Sequence, residues 1–167
     1  DLSRIKFPIQ DAVERGLITW VEDVEIPPEL PAKWLSEQMA EKRVIGVAID
    51  DYRFGIMKKA LEGVGFVSGK DGNILQVKGR NIMQIAPRLI AQLNRQQVEF
   101  RDDALMRWYI NNTKQLLDTR GNITFGKIEP KTRKTDGFMA AVAAVTMVDR
   151  LELEQANSAM GFGVFTF

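Results

Sequence analysis

The side chains of this chain that could do chemistry are carboxylates, lysines, tyrosines and hydroxyls, because its 167 residues include no histidine and no cysteine. That composition excludes an imidazole base, a thiolate nucleophile, a Ser-His-Asp triad and an ordinary zinc site, and it excludes disulfides. Two aspartates stand out by their position: Asp50 follows a continuous apolar run, and Asp136 precedes an alanine-rich one. Carboxylate chemistry or an oxygen-ligated metal is therefore expected.

Asp50 ends an apolar run at residues 44–49, which is partly β-branched and typical of a strand covered on both faces of a parallel sheet. Ligands bind at the carboxyl ends of such strands, so Asp50 is a candidate site residue. The alternative is that Asp50 or Asp51 caps the helix that follows.

Asp136 opens a helix whose small residues allow a close approach to a sheet, although an acid there can also serve only the helix dipole. The two aspartates are far apart in the sequence and can meet only through the fold. Carboxylates that converge repel each other unless a cation lies between them, and Mg²⁺ or Mn²⁺ suits oxygen ligands. Two such ions about 4 Å apart are a common device for cleaving phosphodiesters.

Positive charge is not spread over the chain, since 23 lysines and arginines balance 22 acids. A local exception lies at Lys127, Lys131, Arg133 and Lys134, which could hold a phosphate backbone or be a solvated surface. Side chains that could stack on a nucleotide or hydrogen-bond it are Trp108, Tyr109, Asn111 and Asn112, although the spacing of Trp108 also suits a core position.

The elements that must position these residues follow from periodicity. Helices are predicted at 29–42, 52–62, 82–94 and 102–112, and from Thr135 or Asp136 to about 154. Strands are predicted at 44–49, 74–77 and, briefly, 98–100. Residues 66–67 and 74–77 flank a loop or hairpin, and a clearer hairpin joins 114–118 to 123–128. Helix, buried strand and helix in series predict an α/β layered fold.

Residues 1–154 are predicted to form one α/β domain, and residues 155–167 a C-terminal tail that docks elsewhere. The longest mostly apolar stretch, at residues 138–148, is too short to cross a bilayer, and nothing resembles a signal peptide. We therefore expect no membrane association and a cytoplasmic location.

Four blocks in order carry a resemblance to a known family: VIGVAIDDYR at 44–53, MRWYINN at 106–112, GNITFGK at 121–127 and KTRKTDGFMA at 131–140. Together with ERGLIT at 14–19, they resemble the C-terminal nuclease domain of the large terminase subunit of tailed bacteriophages. The resemblance covers roughly residues 5–150.

The resemblance implies an RNase H-like mixed sheet flanked by helices, and an endonuclease that cuts double-stranded DNA with two Mg²⁺ or Mn²⁺ ions during genome packaging. Asp50 and Asp136 would be the second and third catalytic acids and the metal ligands. DNA contacts are expected from Lys127, Lys131, Arg133, Lys134 and Arg53, with support from Asp51, Asn111 and Asn112. The implied partners are a terminase ATPase domain, the small terminase subunit and the portal, in a host cell.

The sequence departs from the family at its beginning, because nothing before Phe7 resembles the strand that carries the first catalytic acid. The sheet is therefore expected to be incomplete at the N-terminus and the isolated chain to be a poor nuclease. Two alternatives stay open: a non-catalytic α/β interaction module of a viral assembly that docks through residues 162–167, and another RNase H-like enzyme such as a recombinase or transposase. Aspartates on different faces would favour the module.

Overall fold

Two short sheets and the helices packed on them make up the fold of the computed structural model, which describes residues 2–100 and 102–162. A 3-10 turn at Leu2–Arg4 precedes the first helix. The elements in chain order are α1 (Ile9–Glu14), α2 (Glu29–Glu41), β1 (Val47–Asp50), α3 (Phe54–Gly63), β2 (Ile74–Val77), α4 (Gly79–Asn94), α5 (Ala104–Asn111), β3 (Thr113–Leu117), β4 (Ile123–Lys127) and α6 (Asp136–Phe162). The predicted α/β class is confirmed.

The first sheet pairs β1 with β2 in parallel, from Val47 opposite Ile74 to Asp50 opposite Val77. Helix α3 lies between the two strands in the chain, as a parallel connection requires. The predicted parallel strand is thus confirmed, although β1 begins at Val47. Since parallel strands end at the same edge, Asp50 and the residues after Val77 share one edge of the sheet.

The hairpin considered for residues 66–67 and 74–77 is wrong, because β2 pairs with β1 instead and residues 66–67 form no strand. Phe66 is buried in a core, which explains its apolar character. Asn73 closes the loop before β2 by accepting a hydrogen bond from the Val67 amide at 2.7 Å, and Gly69 supplies a turn at φ +105°.

The second sheet is the antiparallel hairpin of β3 and β4, in register from Thr113 opposite Lys127 to Leu117 opposite Ile123. Its turn is held by Asp118, whose carboxylate accepts hydrogen bonds from the backbone amides of Arg120 and Asn122, both at 2.8 Å. The Asn122 side chain also donates to Asp118, and these bonds lower the pKa of that carboxyl. The hairpin prediction is confirmed.

Two clusters of buried side chains form the core. The first lies around β1, α2 and α3 and contains Ala32, Leu61, Phe66 and Ile74. The second lies between α4, β4 and α6 and contains Ile85, Leu89, Phe138 and Val142. Burial of each large apolar side chain contributes roughly 1.5–3 kcal/mol. Helix α6 packs on β1 as well as on α4, so it joins the two clusters.

Several element boundaries differ from the sequence prediction. Residues 98–100 form no strand, and Val98 instead packs as a single side chain against the second core. Helix α6 runs on past residue 154 to Phe162, so the first part of the predicted tail is helical, while residues 163–167 lie outside the described residues. The division of the chain into a domain and a tail stays a prediction. Within the described ranges, no helix is long and apolar enough to span a bilayer.

Candidate functional site

A cleft of about 670 Å³ opens where β1 and β2 end, and it brings together residues from across the chain. Its charged lining residues are Asp50, Arg53, Lys127 and Asp136. The rest of its wall is mostly apolar and comes from the start of α2, from α3, α4 and α6 and from the segment before α2. The cleft thus has a polar edge on an apolar floor.

Asp50 is the last residue of β1, and its side chain is exposed to the cleft. It does not cap the next helix, because α3 begins at Phe54 with Arg53 as its N-cap residue and has no side-chain cap hydrogen bond. Asp51 also does not cap that helix: its carboxylate accepts a hydrogen bond from the side-chain amide of Gln76 in β2. The capping alternative for both aspartates is therefore wrong.

Asp136 is the first residue of α6, and it is also exposed and lines the same cleft. Met139, Ala140 and Ala143 follow it on one face of the helix and form part of the floor. An acid in the first turn also interacts favourably with the helix dipole, so the electrostatic role considered for Asp136 is compatible with a role in the cleft.

Tyr109 of α5 packs against the backbone of Gly137, directly beside Asp136. A Cβ atom at position 137 would overlap the Tyr109 ring, so only glycine allows this approach. The pKa of the Tyr109 phenol is raised, chiefly because the ring is partly buried and further by the negative charges of Asp136 and Asp103. Tyr109 therefore braces the start of α6.

The loop from Ile128 to Thr135 connects β4 to α6 and is fixed by a buried side chain, Asn112. The Asn112 side-chain amide donates to the Lys134 carbonyl at 3.0 Å, and its side-chain oxygen accepts from the Arg133 guanidinium at 3.0 Å. The Asn112 backbone carbonyl accepts from the Ile128 amide at 2.9 Å. Asn112 is fully buried, so it is a structural brace rather than a direct nucleotide ligand.

The outer side of this loop is held by Glu129. Its carboxylate accepts hydrogen bonds from the Thr132 hydroxyl at 2.6 Å and from the Lys6 ammonium at 3.0 Å. These bonds, Thr132 first, lower the pKa of Glu129 to about 2. The Lys6 contact joins the N-terminal segment to the loop. The next residue in that segment, Phe7, packs on Trp108 of α5 with ring centroids 5.0 Å apart. Trp108 thus has an aromatic packing role.

The five cations predicted to contact DNA do not form one group. Lys127 and Arg53 line the cleft. Arg133 is turned toward Asn112 and toward Glu129, whose carboxylate lies 3.4 Å from the guanidinium. Lys131 and Lys134 are not among the residues that line the cleft, and neither is Asn111, which is exposed at the end of α5.

Arg53 has two features that the sequence does not reveal. Its backbone has φ 55°, a left-handed conformation that is uncommon for a residue with a side chain. Its guanidinium lies 2.9 Å from the Glu25 carboxylate, and this contact raises the pKa of Arg53. Glu25 carries no sequence signal, because its partner is distant in the chain. Gly137 does carry one, since a glycine inside a helix often marks a close approach.

Acidic ligands are few: among residues 2–100 and 102–162, no group of three Asp, Glu, His or Cys side chains is arranged to hold a metal. The cleft offers two carboxylates, Asp50 and Asp136. Two carboxylates suffice for a Mg²⁺ ion that keeps water ligands and takes phosphate oxygens from a substrate.

Comparisons with known proteins show which solved structure has a similar fold. The chain superposes on the crystal structure of the HK97 bacteriophage large terminase with a TM-score of 0.73 and 15% sequence identity. The match covers 86% of this chain and 29% of the terminase chain, so this chain spans less than a third of that protein. No family model matches the sequence, and no curated protein matches it. The fold is therefore that of a terminase-like domain, as the sequence resemblance implied.

Proposed function

We propose that this chain is the nuclease part of a DNA-packaging enzyme related to phage large terminases, and that it hydrolyses phosphodiesters of double-stranded DNA with Mg²⁺ or Mn²⁺. The observation that supports this most directly is the common cleft of Asp50 and Asp136. One acid ends a parallel strand, the other begins a helix, and both are exposed. In open α/β sheets, ligands bind at this edge.

Asp50 and Asp136 would hold the metal ion, because their carboxylates are the acidic oxygen donors of the cleft. A bound Mg²⁺ or Mn²⁺ would polarise the phosphodiester and make a water molecule a better nucleophile at neutral pH. In this proposal the aspartates are ligands rather than general bases. A second ion would need a further carboxylate beyond these two, so we expect the isolated chain to be a weak nuclease.

The cations of the cleft would orient the substrate. Lys127 and Arg53 stand on the same lining as the two acids, where they can hydrogen-bond phosphate oxygens and offset their charge. Arg53 is held by Glu25 at the edge of the cleft, and this exposed ion pair is weak enough to exchange for a phosphate.

The proposed partners are double-stranded DNA, a terminase ATPase domain, the small terminase subunit and the portal. The near balance of charge, 23 basic against 22 acidic residues, suits a domain that an assembly holds on DNA. In such an assembly, effective concentration replaces part of the intrinsic affinity.

The proposal is tested with Asp50→Asn and Asp136→Asn. We expect each substitution to weaken Mn²⁺ binding, measured by electron paramagnetic resonance, by at least about tenfold. Mn²⁺-dependent nicking of supercoiled plasmid should fall to background in both. Asp51→Asn is the matched control, since it removes the same charge one residue from Asp50 and its Oδ1 can still accept from Gln76.

Two results would contradict the proposal. Nicking that survives Asp136→Asn would show that the cleft does not carry the activity. A folded wild-type chain that binds no Mn²⁺ at millimolar concentration would favour the non-catalytic interaction module instead. One structural observation favours that alternative: no three acidic side chains cluster in the described ranges. Strand-transfer products with a donor DNA would indicate a recombinase or transposase.

A further inference from the structure

Helix α4 and the residue that caps its C-terminus carry three arginines on the solvent-facing side. Arg80, Arg88 and Arg95 are exposed, and they fall within about a quarter of the helix circumference at 3.6 residues per turn. The opposite side of α4 is buried in the second core through Ile85 and Leu89. We call the exposed side, together with Lys78 just before the helix, the arginine face.

No acidic residue offsets the positive charge of this helix within its own segment of the sequence, because no aspartate or glutamate occurs between Asp71 and Glu99. The four cations of the arginine face are part of a total of 23, so the rest of the sequence has 19 against 22 acids. The net charge of +1 therefore conceals a positive helix on an otherwise slightly acidic protein. Such an asymmetry concentrates a positive potential on one surface.

Helix stability does not account for the two cations at the start of α4, Lys78 and Arg80. The first turn of α4 contains no acid and includes Arg80, while exposed Lys78 precedes it. Positive charge at a helix N-terminus opposes the helix dipole by roughly 0.3–1 kcal/mol. Only Arg95, at the other end, is placed favourably for the dipole. An anionic ligand would reverse the penalty at the first turn.

Helix α4 begins beside the proposed active-site cleft, because Val77 and Ile82 line the cleft and Lys78 lies between them in the chain. Ile82 lies on the buried side of α4, so the arginine face is on the side of the helix away from the cleft lining. Arg80 and Arg88 are separated along the axis by about 12 Å at 1.5 Å per residue. Duplex DNA carries about one negative charge per 1.7 Å of its axis, so two arginines this far apart can contact different phosphates of one duplex.

We propose that the arginine face of α4 is a binding surface for the phosphate backbone of duplex DNA, separate from the cations of the cleft. It would hold the duplex without reading its sequence, since phosphate contacts position DNA and base contacts specify it. The inference rests on the proposed function in that both concern the same DNA.

The experiment measures binding without metal, so that cleavage plays no part. Fluorescence anisotropy with a labelled 20-base-pair duplex in EDTA would compare the 167-residue chain with the variant Arg80→Gln/Arg88→Gln/Arg95→Gln. The matched control is Lys33→Gln/Arg43→Gln/Arg120→Gln, three exposed cations on other surfaces with the same loss of charge. Circular dichroism and thermal melting verify that each variant folds, and the double variant Arg80→Gln/Arg95→Gln serves if the triple one does not.

We expect the α4 variant to bind the duplex at least tenfold more weakly at 0.1 M salt, and the slope of log K against log salt to fall by about one per lost phosphate contact. The control should stay within about twofold. Equal weakening of duplex binding in both variants would overturn the proposal. It would also be overturned if polyglutamate of matched charge displaced the labelled duplex as effectively as unlabelled duplex does, because that result would indicate an acidic protein partner. Because binding is measured in EDTA, loss of duplex binding in the α4 variant and loss of Mn²⁺-dependent nicking in the aspartate variants are separate results.

Discussion

The two aspartates of the cleft are held by two regions that use different physical means. Asp50 belongs to the region of β1, β2 and α3, where strand pairing fixes the backbone and the nearest ion pair, Arg53 with Glu25, is exposed. Asp136 belongs to the region of α4, α5, β4 and α6, where a loop leads into the helix. Buried Asn112 fixes that loop, and Tyr109 packs on the helix start.

The difference teaches which region is sensitive to single substitutions. An exposed ion pair contributes about 0–1 kcal/mol, whereas a buried polar group that loses its partner costs about 1–3 kcal/mol. Strand pairing is distributed over the whole register of β1 and β2, while the buried side of the loop is held by the single side chain of Asn112. The position of Asp136 should therefore be easier to disturb than that of Asp50.

The largest effect is expected from Asn112→Ala. It removes the side-chain partner of the Lys134 carbonyl and one of the two partners of the Arg133 guanidinium, and it removes a fully buried side chain. We expect the free energy of unfolding, measured with urea, to fall by about 2–4 kcal/mol. Asn111→Ala changes the exposed neighbour and should cost no more than about 0.5 kcal/mol. Equal losses in the two variants would remove the distinction between the regions.

A smaller loss is expected from Gly137→Ala, because the added methyl group would overlap the Tyr109 ring. Overpacking of this kind costs about 1–3 kcal/mol, which exceeds the gain in helix propensity. The same substitution at Gly55 in α3 meets no atom within 4 Å and should stabilise the protein by about 0.5–1 kcal/mol. Thermal melting of the two variants measures the contrast directly. A stabilised Gly137→Ala protein would show that Tyr109 does not brace α6.

The smallest effect concerns pH and the outer side of the loop. The pKa of Glu129 is lowered from 4.5 to about 2, so the folded state favours the ionised carboxylate. Its contribution to stability is complete above pH 4.5 and is lost as the pH falls toward 2. We expect Glu129→Gln to lower the melting temperature slightly at pH 6 and to reduce its fall between pH 5 and pH 3. An unchanged acid profile would contradict the role assigned to the Thr132 and Lys6 contacts.

Local patterns in the sequence predicted the local parts of the fold. The hairpin of β3 and β4 follows from its turn residues, and α2, α4 and α6 follow from apolar spacing. The pairing of β2 could not be predicted, because its partner β1 lies across an intervening helix and the nearer residues 66–67 offered a competing edge. The strand predicted at residues 98–100 was wrong for a related reason. Val98 is a single apolar side chain that packs against a core, and one side chain shows no sequence periodicity.

The places of Asp50 and Asp136 at a strand end and a helix start predict that they meet, and the cleft contains both. Their role as metal ligands stays a prediction. The orientation of the Arg133 side chain could not be predicted. A basic residue in a loop can point outward to a ligand or inward to an asparagine, and the sequence does not distinguish these two orientations. The brace of Tyr109 on Gly137 depends on a contact between two elements that only the packing defines.

The docking of α6 on β1 also has a consequence for the order in which the protein folds. The β3–β4 hairpin joins neighbours in the chain, whereas β1 and β2 pair across α3, and α6 reaches β1 across most of the sequence. Contacts between distant parts of a chain form slowly, because closing the long loop between them costs conformational entropy before the contact stabilises the fold. We therefore expect the cleft with its two carboxylates to be among the last features to assemble, and a nascent chain to acquire it only once α6 has been synthesised.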